Sequence, residues 1–479
     1  MMICGLGGGR LAEFDVVVIG GGTGGYVAAI RAAQLGMSVA VVERHKLGGT
    51  CLHQGCIPSK ALLRSAEIQS IVKNGEVFGL VTENISFSLG KAMQRKDAIV
   101  NQLYKGVQFL MKKHGITVIE GVGHVMGSSI FSPTAGAVRV QGVSEEIVLT
   151  PRFTVIATGS RPRAFSVLPF DGEHILSSED VLRMTEIPTS VIIIGGGSIG
   201  VEWASMFADF GSDVTLIESQ SRILGSEDED ISSEMLRLFR KRGVKVITDA
   251  TVVDESQDDH GVTIRVNAVG KEMEFTAQRV VVAIGRSPNT EGIGLDAAGV
   301  TLQDGFIVVD DQMKTAENNI YAIGDVIGRV QLAHVAAYEG VVAIESIAGL
   351  NPDPLDYGKI ARCTYGRPEV ASVGISEHMA RQAGFDVRAG KFSFKANGKA
   401  LIYGEADGFV KVVSDQATGD VLGVHMIGPQ VTNLISEAAL AQILNATPWE
   451  ISRAIHPHPT LSEVLGEASL DALGQAIHG

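Results

Sequence analysis

Cysteine and aromatic residues are scarce here: 479 residues include four cysteines (Cys4, Cys51, Cys56 and Cys363), two tryptophans and seven tyrosines. Four cysteines in a chain this long do not make a disulfide framework, the device of small secreted domains. Nor does a second close pair accompany Cys51 and Cys56 to complete a tetrahedral zinc site. Positive charge is short as well. The 40 Lys and Arg against 54 Asp and Glu leave a net charge of −14, which argues against nucleic acid or anionic membrane as the main partner. Long apolar runs are missing: VIIIGGGSIGV is interrupted by four glycines and falls short of the roughly 20 residues a membrane span needs. The start, MMICGLGGGR, lacks the basic leader and apolar segment of a secretory signal. A cytoplasmic protein is expected, with LAEFDVVVIG as its natural ordered beginning.

Glycine, by contrast, is plentiful, with 57 residues and no collagen-like period. Much of it serves an internal repeat. DVVVIGGGTGGYVAAIRAAQLGMSVAVVE (Asp15–Glu43) and SVIIIGGGSIGVEWASMFADFGSDVTLIE (Ser190–Glu218) align without a gap. Each reads as a buried strand, a glycine turn, an amphipathic helix stopped at Gly36 or Gly211, and a second strand, which is a βαβ unit. Gly20, Gly22 and Gly25, and likewise Gly195, Gly197 and Gly200, supply the tight turn, the close phosphate approach and the close helix packing of a dinucleotide site. The helix N-terminus offers unpaired N–H groups to a pyrophosphate. Glu43 and Glu218 end the second strands, where an acid binds ribose hydroxyls. One glycine turn is weak evidence; the whole unit occurring twice is strong. Two dinucleotides on one chain imply electron transfer between cofactors.

FTVIATGSRPR and VVVAIGRSPN read as short strands ending in glycine turns, as at crossings between nested domains. NIYAIGDV is another buried strand ending in an acid, and NPDPLDYG (Asn351–Gly358) is a proline-rich linker. Beyond it, GFVKVVSD and VLGVHMIG carry alternating strand patterns, and ISEAALAQIL is helical. The expected class is α/β: two Rossmann-like domains and a C-terminal α+β domain. The partition is 1–150 and 276–350 for a discontinuous first domain, 151–275 for the second and 351–479 for the last.

The close cysteine pair lies in GGTCLHQGCIPSK (Gly48–Lys60), just after the first repeat. With structural readings weak, a redox pair remains. A thiol near a helix start has its pKa lowered from about 8.5, which favours a reactive thiolate. A second constellation is HPHPTLSE (His456–Glu463), where a carboxylate can fix the tautomer of a histidine base and raise its basicity. The spacing and prolines there fit no helical metal motif, so no metal is expected.

From about Phe14 to Glu467 the chain resembles the flavin-dependent pyridine nucleotide-disulfide oxidoreductases. Within that family GGTCLHQGCIPSKALL, LAH at Leu332–His334 and HPHPTLSE look most like the branch that oxidises dihydrolipoamide. The resemblance implies a Cys51–Cys56 redox disulfide, with Cys51 meeting the substrate and Cys56 against the flavin. It implies His458 as the base and Glu463 as its orienting partner, His456 being structural. It also pairs Lys60 with Glu202 near the flavin. His53 and Gln54 depart from the Asn-containing segment common between such cysteines.

For FAD the resemblance implies contacts from Gly20, Gly22, Gly25, Glu43, Lys60, Gly123, Ala157, Thr158, Gly159, Ser160, Asp325, Gln331, Leu332, Ala333 and His334. For NAD it implies Gly195, Gly197, Gly200, Glu202, Glu218, Val252 and Gly285. NAD rather than NADP is favoured because Glu218 would repel a 2′-phosphate, and the following SQSR offers only Arg222. The implied reaction is lipoyl dithiol plus NAD⁺ giving cyclic disulfide plus NADH. The implied assembly is a homodimer with sites shared between subunits, acting on the lipoyl domain of an E2 acyltransferase. Other disulfide reductases, or a mainly architectural subunit of a 2-oxo acid dehydrogenase complex, are the competing readings.

Overall fold

The computed structural model describes residues 12–81, 83–128, 135–142, 146–258 and 261–478. Cys4 and the MMICGLGGGR segment lie outside the described residues. The chain gathers into two compact units. One comprises the chain up to Ser59, Gln94–Pro162 and Arg286–Leu355; the other comprises Lys60–Met93, Arg163–Gly285 and Asp356–Gly479.

The first unit is built on a seven-stranded sheet. Its central strand, Ala12–Ile19, lies parallel to Val39–Glu43 on one side and Glu146–Ile156 on the other. Thr117–Glu120 and Ile320–Ala322 extend the parallel part, while Val122–Val125 and Val138–Gln141 form an antiparallel margin. Val16, Val17 and Val18 are wholly buried, as expected of parallel strands covered on both faces. The first-repeat helix, Thr23–Gln34, carries Gly24, Ala28 and Ala32 toward the helix Ala333–Ile347. The approach is close: a Cβ on Gly24 would stand 2.9 Å from the Ala336 carbonyl oxygen, and one on Gly340 would stand 2.8 Å from that of Gly24.

The second unit contains a wholly parallel five-stranded sheet. Its order is Lys245–Ile247, Asp213–Ile217, Ser190–Ile194, Arg279–Val282 and Ile175–Ser177. The second-repeat helix, Ser198–Phe210, stops at Gly211 in the left-handed region, as the sequence predicts. An antiparallel three-stranded meander covers Ala250–Ala277. The same unit holds an antiparallel five-stranded sheet spanning Arg362–Gly428, with the helices Val431–Ile443 and Glu463–Ala472 packed on it. The architecture is two Rossmann-like α/β sheets plus a C-terminal α+β domain.

The expected strands in GFVKVVSD and VLGVHMIG are Phe409–Asp415 and Val421–Gly428; every residue of the first is buried, and all but Leu422 of the second. Lys411, a charged position within them, is satisfied internally. Lys411, only 6% exposed, sits among Asp228, Asp230 and Glu377 at 3.0, 3.0 and 2.7 Å.

Candidate active site

The two glycine turns have the same geometry. Gly20 has φ 103°, and a Cβ there would lie 2.2 Å from the Ala157 carbonyl oxygen; Gly195 has φ 103° and the corresponding distance to Ala283 is 2.5 Å. Cβ atoms on Gly25 and Gly200 would stand 1.9 and 1.8 Å from the carbonyl oxygens of Gly20 and Gly195. Any larger residue would prise the helix from its strand. At the middle glycines the reverse holds: a Cβ on Gly22 would meet nothing nearer than 3.9 Å, and one on Gly197 nothing within 4 Å. Gly22 and Gly197 are the N-caps of their helices, and neither makes a side-chain capping bond. Open space before uncapped helix N–H groups is a cradle for a phosphate. The donor sets therefore fit two dinucleotides.

Glu43 and Glu218 are held alike. Glu43 accepts hydrogen bonds from Gly21 N (2.7 Å) and His45 N (2.8 Å). Glu218 accepts from Gly196 N (2.5 Å) and Gln220 N (2.7 Å). Each carboxylate is thus fixed at the end of its strand with acceptor capacity left for ribose hydroxyls. Arg222 is otherwise engaged, donating to the carbonyls of Glu227 and Gly225 and to the Ser232 hydroxyl.

The Ala157–Ser160 turn is tied to a segment much later in the chain. Thr158 Oγ1 donates to the Asn289 carbonyl at 2.8 Å, and Asn289 Nδ2 donates to that of Thr158 at 2.9 Å. Ser160 donates to the Asp325 carboxylate, while Arg286 donates to the hydroxyl and carbonyl of Ser160 at 2.6 and 2.8 Å. Gln331 donates to the Asp325 carbonyl at 3.4 Å, and Leu332 caps the helix that begins with Ala333 and His334. Gly123 faces Ile19, where a Cβ would meet the Cγ2 methyl at 2.9 Å. In the other unit, Val252 is buried in the meander core, so a ligand could meet only its backbone. Gly285, with φ 113°, accepts from Arg163 N at 3.0 Å.

Cys51 and Cys56 are both partly buried. The sequence places a helix start near Cys51; the structure divides the segment. Cys51 lies in a short helix, Gly49–Gln54, which breaks at Gly55, and Cys56 opens the long helix Cys56–Lys73. It is therefore Cys56 that occupies the positive end of a substantial helix dipole. His53 turns back onto the Leu47 carbonyl at 2.9 Å, with its ring edge-on to Tyr104. Lys60 follows one turn after Cys56 and donates to both oxygens of Glu202, at 2.9 and 2.8 Å.

His458 Nδ1 meets Glu463 Oε1 at 2.8 Å, and Thr460 N donates to Glu463 Oε2 at the same distance. Burial works to raise the Glu463 pKa, but these two hydrogen bonds outweigh it and hold the carboxyl below its ordinary range. His458 is 78% exposed on its own chain. His456 is not: its side chain, 10% exposed, meets Glu437 at 2.8 Å, a contact that raises its pKa.

Comparison with known proteins decides the family. Residues 14–340 match the pyridine nucleotide-disulphide oxidoreductases, and residues 360–469 match the dimerisation domain of the same family. The chain belongs to the pyridine nucleotide-disulphide oxidoreductases. Among members of this family, it is 53% identical to dihydrolipoyl dehydrogenase of Bacillus subtilis, over 97% of this chain and 99% of that protein. It is 44% identical to that of Zymomonas mobilis, again over 97% and 99%. Among solved structures, LpdA of Mycobacterium tuberculosis superposes with a TM-score of 0.88 at 26% identity, covering 96% and 99% of the two chains. The HOCl-induced flavoprotein disulfide reductase RclA of Escherichia coli, in its Cu(II) complex, gives 0.85 at 26%, with the same coverage.

Sequence reasoning passed over several residues of this oxidoreductase site. Arg286 and Asn289, in the quoted GRSPN, fix the turn that carries Ser160. Glu339, 1% exposed, accepts from Gly324 N at 2.7 Å and so sets the turn that carries Asp325. Tyr26, beside Gly25, stands close enough to Cys51 that burial and the thiolate charge together push its phenol pKa up. The glycine flanking Tyr26 and Arg286 was the only local signal for either.

Proposed function

We propose that this oxidoreductase oxidises the dihydrolipoyl group carried on the lipoyl domain of an E2 acyltransferase and reduces NAD⁺, the activity of a dihydrolipoyl dehydrogenase. The observation that carries the reading is the Cys51, Cys56, His458 and Glu463 set, intact in a chain 53% identical to such an enzyme over 97% of its length. Gly20, Gly22, Gly25, Glu43, Gly123, Ala157–Ser160, Asp325 and Gln331–His334 would hold FAD, with Lys60 beside it. Gly195, Gly197, Gly200, Glu202, Glu218, Val252 and Gly285 would hold NAD. FAD and NAD supply the two-electron chemistry that links thiol oxidation to nicotinamide reduction. The FAD part spans about 1–150 and 276–350, the NAD part 151–275 and the interface part 351–479. Acidic charge and sparse cysteine suit a cytoplasmic setting.

The residues define the thiol chemistry. Glu463 holds His458 through Nδ1, which leaves Nε2 to accept a proton from one substrate thiol. That thiolate attacks Cys51 Sγ of the oxidised pair. A substrate–Cys51 disulfide forms as the Cys51–Cys56 bond breaks, and Cys56 leaves as thiolate. The second substrate thiol then attacks the substrate sulfur of the mixed disulfide. The lipoyl ring closes as Cys51 departs and takes up the proton of the second thiol, while His458 keeps the first proton. Two electrons now reside on the cysteine pair.

His458 is a base mostly open to solvent on its own chain, in a domain matched to a dimerisation domain. Ile455, 97% exposed, and Leu440, Ile443 and Leu444 leave apolar surface uncovered nearby in sequence. This supports a homodimer in which each His458 serves the cysteine pair of the partner. Refolding Cys51→Ser and His458→Ala chains together tests the site. Random pairing makes half the dimers mixed, and each mixed dimer then has one sound site, so about a quarter of the sites should oxidise dihydrolipoamide. Verified mixed dimers without recovery would refute the shared site.

A further inference from the structure

The Lys60–Glu202 pair is held from a third direction. Glu202, 7% exposed, accepts from Tyr365 N at 2.9 Å through the same Oε1 that receives Lys60. The Tyr365 ring lies under the ammonium, with Lys60 Nζ 4.8 Å from its centroid. Cys363, two residues before Tyr365, points its Sγ at the Thr432 carbonyl at 3.9 Å. Burial pushes the Cys363 thiol up to about 11 and the Tyr365 phenol well above its usual value, so both are neutral near pH 7. A neutral ring offers its negative face to a cation within about 6 Å.

The segment carrying Tyr365 is anchored along the same helix as Glu202. Arg367 N donates to Ser205 Oγ at 2.7 Å, and Arg367 Nη2 donates to Asp209 Oδ1 at 2.7 Å and to Ser70 Oγ at 2.6 Å. Glu202, Ser205 and Asp209 recur at helical spacing on Ser198–Phe210. A lysine ammonium is a point charge on a flexible four-carbon stem. The carboxylate fixes its distance but lets it swing; the ring blocks the swing. We propose that Tyr365 is a positioning residue for the reaction, its backbone N–H fixing Glu202 and its ring confining the Lys60 ammonium. The proposal rests on the reading that Lys60 serves the flavin and thiol centre.

Tyr365→Leu removes the ring and keeps the backbone donor; Tyr365→Phe keeps both and loses only the hydroxyl. Two readouts separate this proposal from the substrate assignment. The first is flavin reduction by NADH in anaerobic rapid mixing, without any dithiol. The second is acylation of Lys60 by acetic anhydride, read by peptide mass spectrometry against exposed lysines of the same chain. The leucine variant should slow flavin reduction and speed Lys60 acylation, each by between about threefold and thirtyfold. The phenylalanine variant should restore most of both. A leucine variant indistinguishable from wild type, or a phenylalanine variant as impaired as leucine, would overturn the proposal. So would faster acylation without slower flavin reduction. Should the leucine chain not fold, Tyr365→Met repeats the test. If the wild type fails to oxidise dihydrolipoamide but the acylation and reduction pattern holds, the substrate reading falls and the role of Tyr365 stands.

Discussion

The two βαβ repeats share a ligand cradle and differ in almost everything the helix does beyond it. Their crowded glycines agree to within a few tenths of an ångström, and their strand-end glutamates accept from the same backbone position. Past the turn, the first helix is a thin rod of Gly24, Ala28 and Ala32 pressed against Ala333–Ile347. The second is thick, with Trp203, Phe207 and Phe210 in the core. Val27 occupies the position that Glu202 holds in the second repeat. The cradle is set by what a phosphate needs, and the helix flank by whatever neighbour it must bury. In the first repeat that neighbour is another helix at close range; in the second it is an anchored loop and a lysine.

Closing the cradles should have the largest effect. Gly25→Ala and Gly200→Ala each drive a methyl into a carbonyl at under 2 Å, and at least a hundredfold loss of turnover is expected from either. Their spectra should differ. Gly25→Ala should emerge without flavin, while Gly200→Ala should remain yellow and fail to be reduced by NADH. Equal flavin loss in both would break the assignment of one cradle to each cofactor.

Ion pairs sharpen the contrast. In the first unit Arg31 and Glu345 join the two helices while 31% and 22% exposed, so Glu345→Gln should cost less than about 1 kcal/mol. In the second, Lys411→Met strands the buried Asp228 carboxylate and should cost about 3–5 kcal/mol by urea unfolding at pH 7. The pH dependence has a definite sign. The Lys411 ammonium holds the Glu377 carboxyl below its ordinary value. That contribution is present above the unfolded carboxylate pKa, about 4.3, and is lost as pH falls through the lowered one. Burial pushes Lys411 down, but its carboxylates outweigh this and raise it. Its share is complete below the unfolded lysine value, about 10.4, and fades only above it. The gap between wild type and Lys411→Met should therefore narrow in acid below about pH 4.

The mildest test compares the two glutamates. Glu218→Ala should lower kcat/KM for NAD⁺ by about tenfold and narrow the preference over NADP⁺. Glu43→Ala should leave that preference untouched and weaken flavin retention instead.

The cradles were legible in the sequence because everything they need falls within one strand, one turn and one helix. The cysteine pair and His458–Glu463 were legible for the same reason, being spaced a few residues apart. Gly55 was not read as a helix break, since a single glycine in a helical pattern does not announce whether the helix continues. The burial of Lys411 was not legible, because alternation records polarity, not where the counter-charge lies. Arg286 with Ser160 and Tyr365 with Lys60 are pairings across more than a hundred residues, and no spacing rule reaches them.

Ser160–Pro162 and Arg286–Pro288 lie side by side as a two-stranded antiparallel ribbon, and the next residues inward, Arg163 and Gly285, share a backbone hydrogen bond. The long segment between them thus leaves and rejoins its host at one point. Loop-closure entropy grows only with the logarithm of loop length, and a segment whose ends are already joined charges the host for a short loop. To the polypeptide on either side, the whole Arg163–Gly285 stretch is topologically a hairpin tip. Such tips are where chains accept foreign sequence, but Glu202, Asp209 and Asp228 within this stretch pair with Lys60, Arg367 and Lys411 outside it, so a replacement segment must also supply those three carboxylates.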